Sequence, residues 1–360
     1  MLQGNSVPDQ EAVEKFSEKV WNNIQTTMTT SVCFLGDQLG LYRALAETGP
    51  TTSAGLAAYT GFDERWLREW LQQQACAGLV AYEGNGHFYL KPEAIEVLVN
   101  DESLFFAGGG LATVMALARH APNLKSCFQT GLGLPYDSLG FECAIGLERM
   151  GGAWSRQKLV SEVLPMMNGV VDMLEKGAVV ADIGCGVGTA TMVLAQAFPK
   201  SEFHGYDTSQ HALAEARQRT LSAGLANVFW HTPVEEPLPD DSRFDFIMTL
   251  DVVHDTTNPK GLIDAIYRAI KPEGTWYIMD IAAKSSFEEN LYNHPVAEVF
   301  YAFSVLICMS SGLSEPGGAG LGTAGFHEEI ARQMIREAGF RNFRRLDIED
   351  LFNNHYEVRP

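Results

Sequence analysis

The chain has 360 residues, room for two domains, with 46% apolar and 20% charged, an ordinary globular balance. Its 45 acidic and 26 basic residues leave a net charge of −19, which repels phosphates and so disfavours nucleic acid and anionic membranes as partners. Six cysteines (Cys33, Cys76, Cys127, Cys143, Cys185 and Cys308) show no Cys-x-x-Cys and no zinc-ligand spacing, so reduced thiols and no metal are expected.

In chain order, residues 10–30 read as an amphipathic helix with Val13, Phe16, Val20 and Ile24 at helical spacing. Such a helix packs on a partner subunit or on its own chain, and a homodimer is expected. The first thirty residues hold no continuous apolar core of a signal peptide, which points to a cytoplasmic protein. A second helix is expected over 35–46, stopped at Gly49-Pro50. The hydroxyls of Thr51, Thr52 and Ser53 suit the start of a helix over 54–60, and Asp63 suits the N-cap of one over 65–77. Residues 80–82 and 87–90 flank Gly84-Asn85-Gly86, a hairpin signal. Three helices and a hairpin are the order of a winged-helix domain, placed here at 1–100. That fold often reads DNA, but the first hundred residues hold six Lys/Arg against twelve Asp/Glu, a balance of −6. The reading preferred for this domain is dimerisation and substrate covering.

Residues 101–168 form a helical connector, with helical apolar patterns over 104–118 and 157–174 and a glycine-rich stretch over 131–152 between them. The apolar run 104–117 is too short and too rich in glycine to span a bilayer. The stretch 131–152 holds Tyr136, Phe141, Glu142 and Arg149, material for a wall of an active site or for a plain connection. From 169 to 360 strands and helices alternate: strands over 179–183, 202–206, 228–231, 244–250 and 275–281, helices over 189–197, 212–223 and 262–270. That alternation requires a parallel sheet covered on both faces, an α/β Rossmann-like fold. A helix over 328–338 precedes strands over 343–347 and 355–358, close enough in sequence to pair antiparallel at the sheet edge. An insertion over 283–325 holds a helix over 291–309 and a glycine-rich run at 316–325 with the composition of a mobile lid.

The chemistry gathers at Val180 to Gly188, a buried strand ending in the turn Gly184-Cys185-Gly186-Val187-Gly188. The glycines clear space for a nucleoside against backbone amides at a helix start, and Asp207 ends the next strand at the spacing of a ribose-binding acid. The third glycine of G-x-G-x-x-G is missing, which argues against a dinucleotide. With Asp182 before it, the turn resembles motif I of class I S-adenosylmethionine (SAM)-dependent methyltransferases, D-x-G-x-G-x-G.

Leu250-Asp251-Val252-Val253-His254-Asp255 and Lys271-Pro272-Glu273-Gly274 extend that resemblance over nearly the whole chain. The layout resembles plant-type small-molecule O-methyltransferases and bacterial methyltransferases with an N-terminal winged-helix domain. The resemblance implies SAM as cofactor and a small-molecule methyl acceptor, with O-methylation favoured over N or C. It places Gly184, Cys185, Gly186 and Gly188 along the methionine and ribose of SAM, Asp182 near the methionine amine, and Asp207 with Thr208 on the ribose. Thr232 or Glu235 takes the adenine, and Asp251 joins the cofactor set. It makes His254 the general base, with Asp280 orienting it. An imidazole titrating near neutrality suits removal of a proton from an alcohol or phenol. The plainer alternative starts a helix at His254-Asp255 with Asp255 as its cap. Thr256-Thr257-Asn258 stands where the family keeps a tryptophan. His294 and His327 flank the insertion within possible reach of His254. A competing function is a SAM-binding transcriptional regulator that uses the winged helix.

Overall fold

The computed structural model describes residues 8–360. The chain divides into two compact units, the first running to Met115 and the second comprising Ala116–Pro360.

The first unit is led by a 29-residue helix, Gln10–Gln38, eight residues longer at its end than the apolar spacing indicates. Gly40, at φ 68°, separates it from the helix Leu41–Thr48, so the expected helix over 35–46 is divided between the two. Thr52 caps Ser53–Thr60 through the Gly55 amide, and Asp63 caps Glu64–Cys76 through the Arg65 and Trp66 amides. Strands β1 (Ala81–Gly84) and β2 (His87–Tyr89) pair antiparallel. Leu45, Leu56, Leu71, Trp70 and Tyr42 fill the core between these helices and the hairpin.

The second unit is built on a seven-stranded sheet. Its strands are β3 (Val179–Ile183), β4 (Glu202–Tyr206), β5 (Val228–His231), β6 (Phe244–Leu250), β7 (Ile270–Ile281), β8 (Asn342–Arg345) and β9 (Asn353–Arg359). The spatial order is β5-β4-β3-β6-β7-β9-β8; the first five run parallel, β9 pairs antiparallel with β7, and β8 pairs antiparallel with β9. β3 is flanked by β4 and β6, so the chain winds outward one way, returns, and winds the other way. The carboxyl ends of β3 and β6 therefore border the crevice in which open α/β sheets bind ligands. Both faces are buried, which is why β3 and β6 read as nearly unbroken apolar runs. Ile263, Ile266, Ala331 and Ile335 cover one face; Leu159, Val163, Leu174 and Leu194 cover the other.

Several expected elements differ in extent. β7 begins at Ile270, because Lys271-Pro272-Glu273-Gly274 is absorbed as an irregularity: Phe244 pairs with Ile270 but Phe246 with Thr275. The glycine-rich stretch contains a full helix, Phe141–Trp154, and the expected helix over 157–174 is π-wound over Ser155–Val163 and then broken before Val170–Lys176. The expected helix over 291–309 is cut near Pro295 into Phe287–Asn293 and Ala297–Phe303, followed by a π-type turn, Ser304–Cys308. The glycines of 316–325 have a packing role. A Cβ at Gly318 would strike the Gly312 carbonyl, at Gly320 the Leu313 side chain, and at Gly322 Ser304 Oγ.

Candidate active site

At the end of β3 the chain turns with Gly184, Gly186 and Gly188 at φ 71°, 54° and 80°. A Cβ at Gly184 would collide with Val252 beyond β6, and one at Gly188 with the Trp230 ring, so both glycines allow close approach across the crevice. At Gly186 a Cβ would meet nothing within 4 Å: this is the turn's open side. The Gly186 amide donates to Asp207 Oδ2 at 2.7 Å and the Ser209 amide to Oδ1 at 2.7 Å, fixing the carboxylate at the tip of β4. Burial raises the Asp207 carboxyl above its ordinary range despite these amides. Thr208 is exposed beside it, and Cys185 turns its thiol toward Gly205.

Asp182 is buried on β3 and accepts from Thr191 Oγ1 at 2.5 Å; burial pushes it up to about 7, against the pull of that hydrogen bond. Thr232, half-buried past β5, lies 3.5 Å from Gln210 Nε2.

On the far side of the crevice, Asp251 follows β6 at φ 56°, a conformation costly for a residue with a Cβ and frequent at functional sites. Its amide donates to the Met279 carbonyl at 2.8 Å, and its carboxylate accepts from the Asn353 side chain. Val253–Asp255 forms a single 3-10 turn that sends His254 inward. His254 Nδ1 lies 2.7 Å from Asp280 Oδ1 at the end of β7, with both side chains buried. Burial alone would lower the His254 pKa, but the Asp280 carboxylate, aided by Cys308, outweighs it and holds the imidazolium well above its ordinary range. Burial, then the Asp280 charge, pushes Asp251 up to about 7. Asp251, His254 and Asp280 converge with one polar atom each within 4.8 Å. Asp280 Oδ2 and Asp255 Oδ1 are buried without a partner. Asp255 is not a helix cap: the next helix, Pro259–Ala269, is capped by Asn258 through the Gly261 amide.

The structure also brings in Tyr136, from the stretch read as an active-site wall or a plain connection, and further residues that their sequence neighbourhoods do not mark. Tyr136 lies in the electrostatic reach of both Asp207 and Asp255, linking the two halves of the crevice. Cys308 lies in the electrostatic reach of both His254 and Asp255. An apolar wall of Leu117, Cys143, Ile307 and Cys308, backed by Leu139 and Phe303, adjoins them. Glu148 accepts from Thr189 Oγ1 at 3.0 Å at the start of the helix Thr189–Ala197. His294 instead bonds the Ala282 carbonyl at 3.1 Å, and among the described residues no cluster joins it or His327 to His254.

Carboxylates at Asp182, Asp207 and Asp251 around an open glycine turn suit a nucleoside that carries positive charge and no phosphate. Residues 174–316 match the family model described as a methyltransferase domain, and residues 26–99 match the Rv2258c-like winged HTH domain. The chain carries a class I SAM-dependent methyltransferase domain behind a winged helix. Mitomycin 7-O-methyltransferase MmcR shares its fold at TM-score 0.68 and 19% identity, covering 98% of this chain and 100% of that one. Human N-acetylserotonin methyltransferase, solved in complex with SAM, does so at TM-score 0.64 and 16% identity, covering 99% of each chain. Among curated proteins, the biotin biosynthesis bifunctional protein BioHC of Teredinibacter turnerae is 31% identical over 119 residues, 31% of this chain and 21% of that protein. The chain thus spans about a fifth of that relative's length. No helix among the described residues is long and apolar enough to cross a membrane.

Proposed function

We propose that this methyltransferase transfers the methyl group of SAM to the oxygen of a small, largely apolar acceptor, with His254 as general base. The observation that carries this reading is the buried His254–Asp280 pair, 2.7 Å apart, at the carboxyl ends of β6 and β7 opposite the glycine turn. When bound, SAM supplies a methyl group made electrophilic by its sulfonium. The glycine turn and Asp207 hold the nucleoside, and Asp182 and Asp251 offer negative charge to its cationic groups. Asp280 fixes the imidazole with Nδ1 toward itself, so Nε2 is the nitrogen left to receive the acceptor's proton. The wall around Ile307 and Cys308 excludes water from that side. The remaining catalysis is positioning for in-line transfer.

The winged helix serves dimerisation in this reading. Arg65 and Arg68, the basic residues of Glu64–Cys76, pair with Glu69 and Glu64 of the same helix at 2.6 and 2.5 Å, which supports protein rather than phosphate contacts.

His254→Ala is expected to cut methyl transfer about 10²- to 10⁴-fold, the usual worth of a general base, with S-adenosylhomocysteine affinity unchanged by calorimetry. Full turnover in this variant would remove the base from the mechanism.

A further inference from the structure

On the far side of β3 from His254, four side chains form a line along β4, β5 and the turn that follows. Glu202 Oε1 lies 2.8 Å from His204 Nε2, and His204 Nδ1 lies 2.8 Å from His231 Nε2. His231 Nδ1 in turn meets a carboxylate oxygen of Glu236. The two imidazole centroids are 5.1 Å apart, so a 2.8 Å contact requires both nitrogens to lie on the line joining the centroids. Each nitrogen thus aims its proton or lone pair straight at the other ring. We propose that His204 and His231 hold one extra proton between them, and that it clamps the turn 232–236 onto the cofactor's edge of the sheet. His231 and Glu236 are then positioning residues for the nucleoside. The proposal goes beyond the methyl-transfer reading and requires nothing of His254.

The line has three gaps, and ionised carboxylates only accept. Two neutral imidazoles bring two protons and leave one gap with lone pairs facing each other. Two imidazolium ions bring four and set N–H against N–H. Three protons fill the three gaps, one more than the neutral pair carries. Burial, against the pull of Glu202, holds His204 below its ordinary range, so the extra proton rests on the His231 side. Removing it leaves a polar atom in the line without a partner, which costs free energy and makes the two rings titrate as one unit.

His231 is tied to the cofactor's edge through its backbone, because the Asp207 amide donates to its carbonyl at 3.2 Å. Thr232 follows, and its carbonyl accepts from the Glu235 and Glu236 amides at 3.0 and 2.9 Å, folding the chain into a turn. The Glu236 side chain then returns to His231 and closes that turn on the strand end. The two carboxylates differ in how firmly they are held. Glu202 is also paired with Arg243 at 3.6 Å, whereas the Glu236 side chain is 65% exposed. When the extra proton leaves, the gap opens at Glu236, and the turn is released while Glu202 and His204 stay joined. The charged and titratable groups facing the pair are Glu202 and Tyr206 from β4, Arg243 just before β6, and Glu236 from the turn. The rings of Phe229 from β5 and Phe244 from β6 pack on His204.

The test combines ¹⁵N NMR of the two imidazoles with calorimetry of S-adenosylhomocysteine binding, both across pH in the full chain. In the wild type the pair is expected to release one proton about one pH unit above an ordinary histidine, and to take up a second only in acid. Cofactor affinity should fall as pH rises through that release, because the clamped turn is the form that binds. Glu236→Gln isolates this effect, since its amide can accept from a protonated Nδ1 or donate to a bare one. That variant should bind as the wild type does at pH 6 and about tenfold more tightly than it at pH 9. Glu236→Ala, with no clamp in either state, should bind more weakly than Glu236→Gln at both. Asp182 and Asp207 titrate alike in the three chains and cancel in these ratios, and a substitution at exposed Glu236 leaves the core intact. Two rings that titrate independently near the ordinary histidine value, or affinity ratios that stay flat with pH, would each overturn the proposal. Neither readout uses methyl transfer, so the outcome is separate from that of the His254→Ala assay.

Discussion

A base in a dry site meets opposing demands: burial favours the neutral imidazole, and a buried carboxylate beside it favours the charged one. At His254 the carboxylate wins, holding the proton well above the ordinary range. A raised pKa in the folded chain stabilises it fully below the ordinary His value, and that contribution is lost as pH rises through the raised value. Catalysis runs the other way, because the base is free only above its pKa. Methyl transfer is therefore expected to climb with pH through the alkaline side of neutrality. Asp280→Asn, which keeps the shape and removes the charge, should move that limb to lower pH and reduce the plateau rate. A pH–rate profile with SAM saturating checks this, and a limb left in place would detach Asp280 from the base. The positions of Asp207 and His254 were legible in sequence because each follows a strand of the parallel sheet, β4 and β6, so strand order alone sends them to one sheet edge; the role proposed for His254 came from the family resemblance. Cys308 was not legible. It stands 54 residues beyond His254 in an insertion whose packing no local spacing encodes.

The elements around the crevice are coupled by side chains filling space that glycine leaves. Trp230 on β5 lies over Gly205 of β4 and Gly188 of the turn, and its Nε1 donates to Thr220 Oγ1 at 3.0 Å. One ring thereby props the cofactor turn, the edge strand and the helix Gln210–Ala223. Gly205→Ala would push a methyl into that ring and toward the Cys185 thiol, an overpacking expected to cost about 1–3 kcal/mol. Trp230→Phe, smaller but without the indole N–H, should destabilise alone yet recover part of the loss when combined with Gly205→Ala. Urea unfolding of the four chains measures the coupling, and strict additivity would show that the ring yields freely. Strands β3, β4 and β6 fall at their sequence-predicted bounds, because a strand buried on both faces has a sharp compositional edge; the half-buried edge strand β5 does so too. Helices of the insertion and of residues 155–176 do not, because Pro295, π-type turns and Met167–Gly169 break segments whose apolar periodicity runs on.

For the molecule as a whole, the least settled surface is the leading helix. Gln10–Gln38 buries only Cys33 and Gly36, both near its end, and residues 10–28 are exposed throughout. Along that length Val13, Phe16, Val20, Ile24 and Met28 recur every three or four residues as one stripe, with Trp21 beside it; Phe16 is 70% exposed and Trp21 65%. A helix of 29 residues spans about 44 Å, far beyond what its own packed end supports. Each large side chain on the stripe forfeits about 1.5–3 kcal/mol by remaining in water. A second copy supplies the same stripe, and a two-fold axis across it lets each helix cover the other without leaving an open end. The wild type is thus expected to scatter light at about twice 39.5 kDa in size-exclusion chromatography. Phe16→Asp with Trp21→Asp places two charges in that seam and should yield the single-chain mass with an intact far-ultraviolet spectrum. A wild type eluting at one chain's mass at micromolar concentration, or a charged variant that still pairs, would assign the dimer contact elsewhere or nowhere.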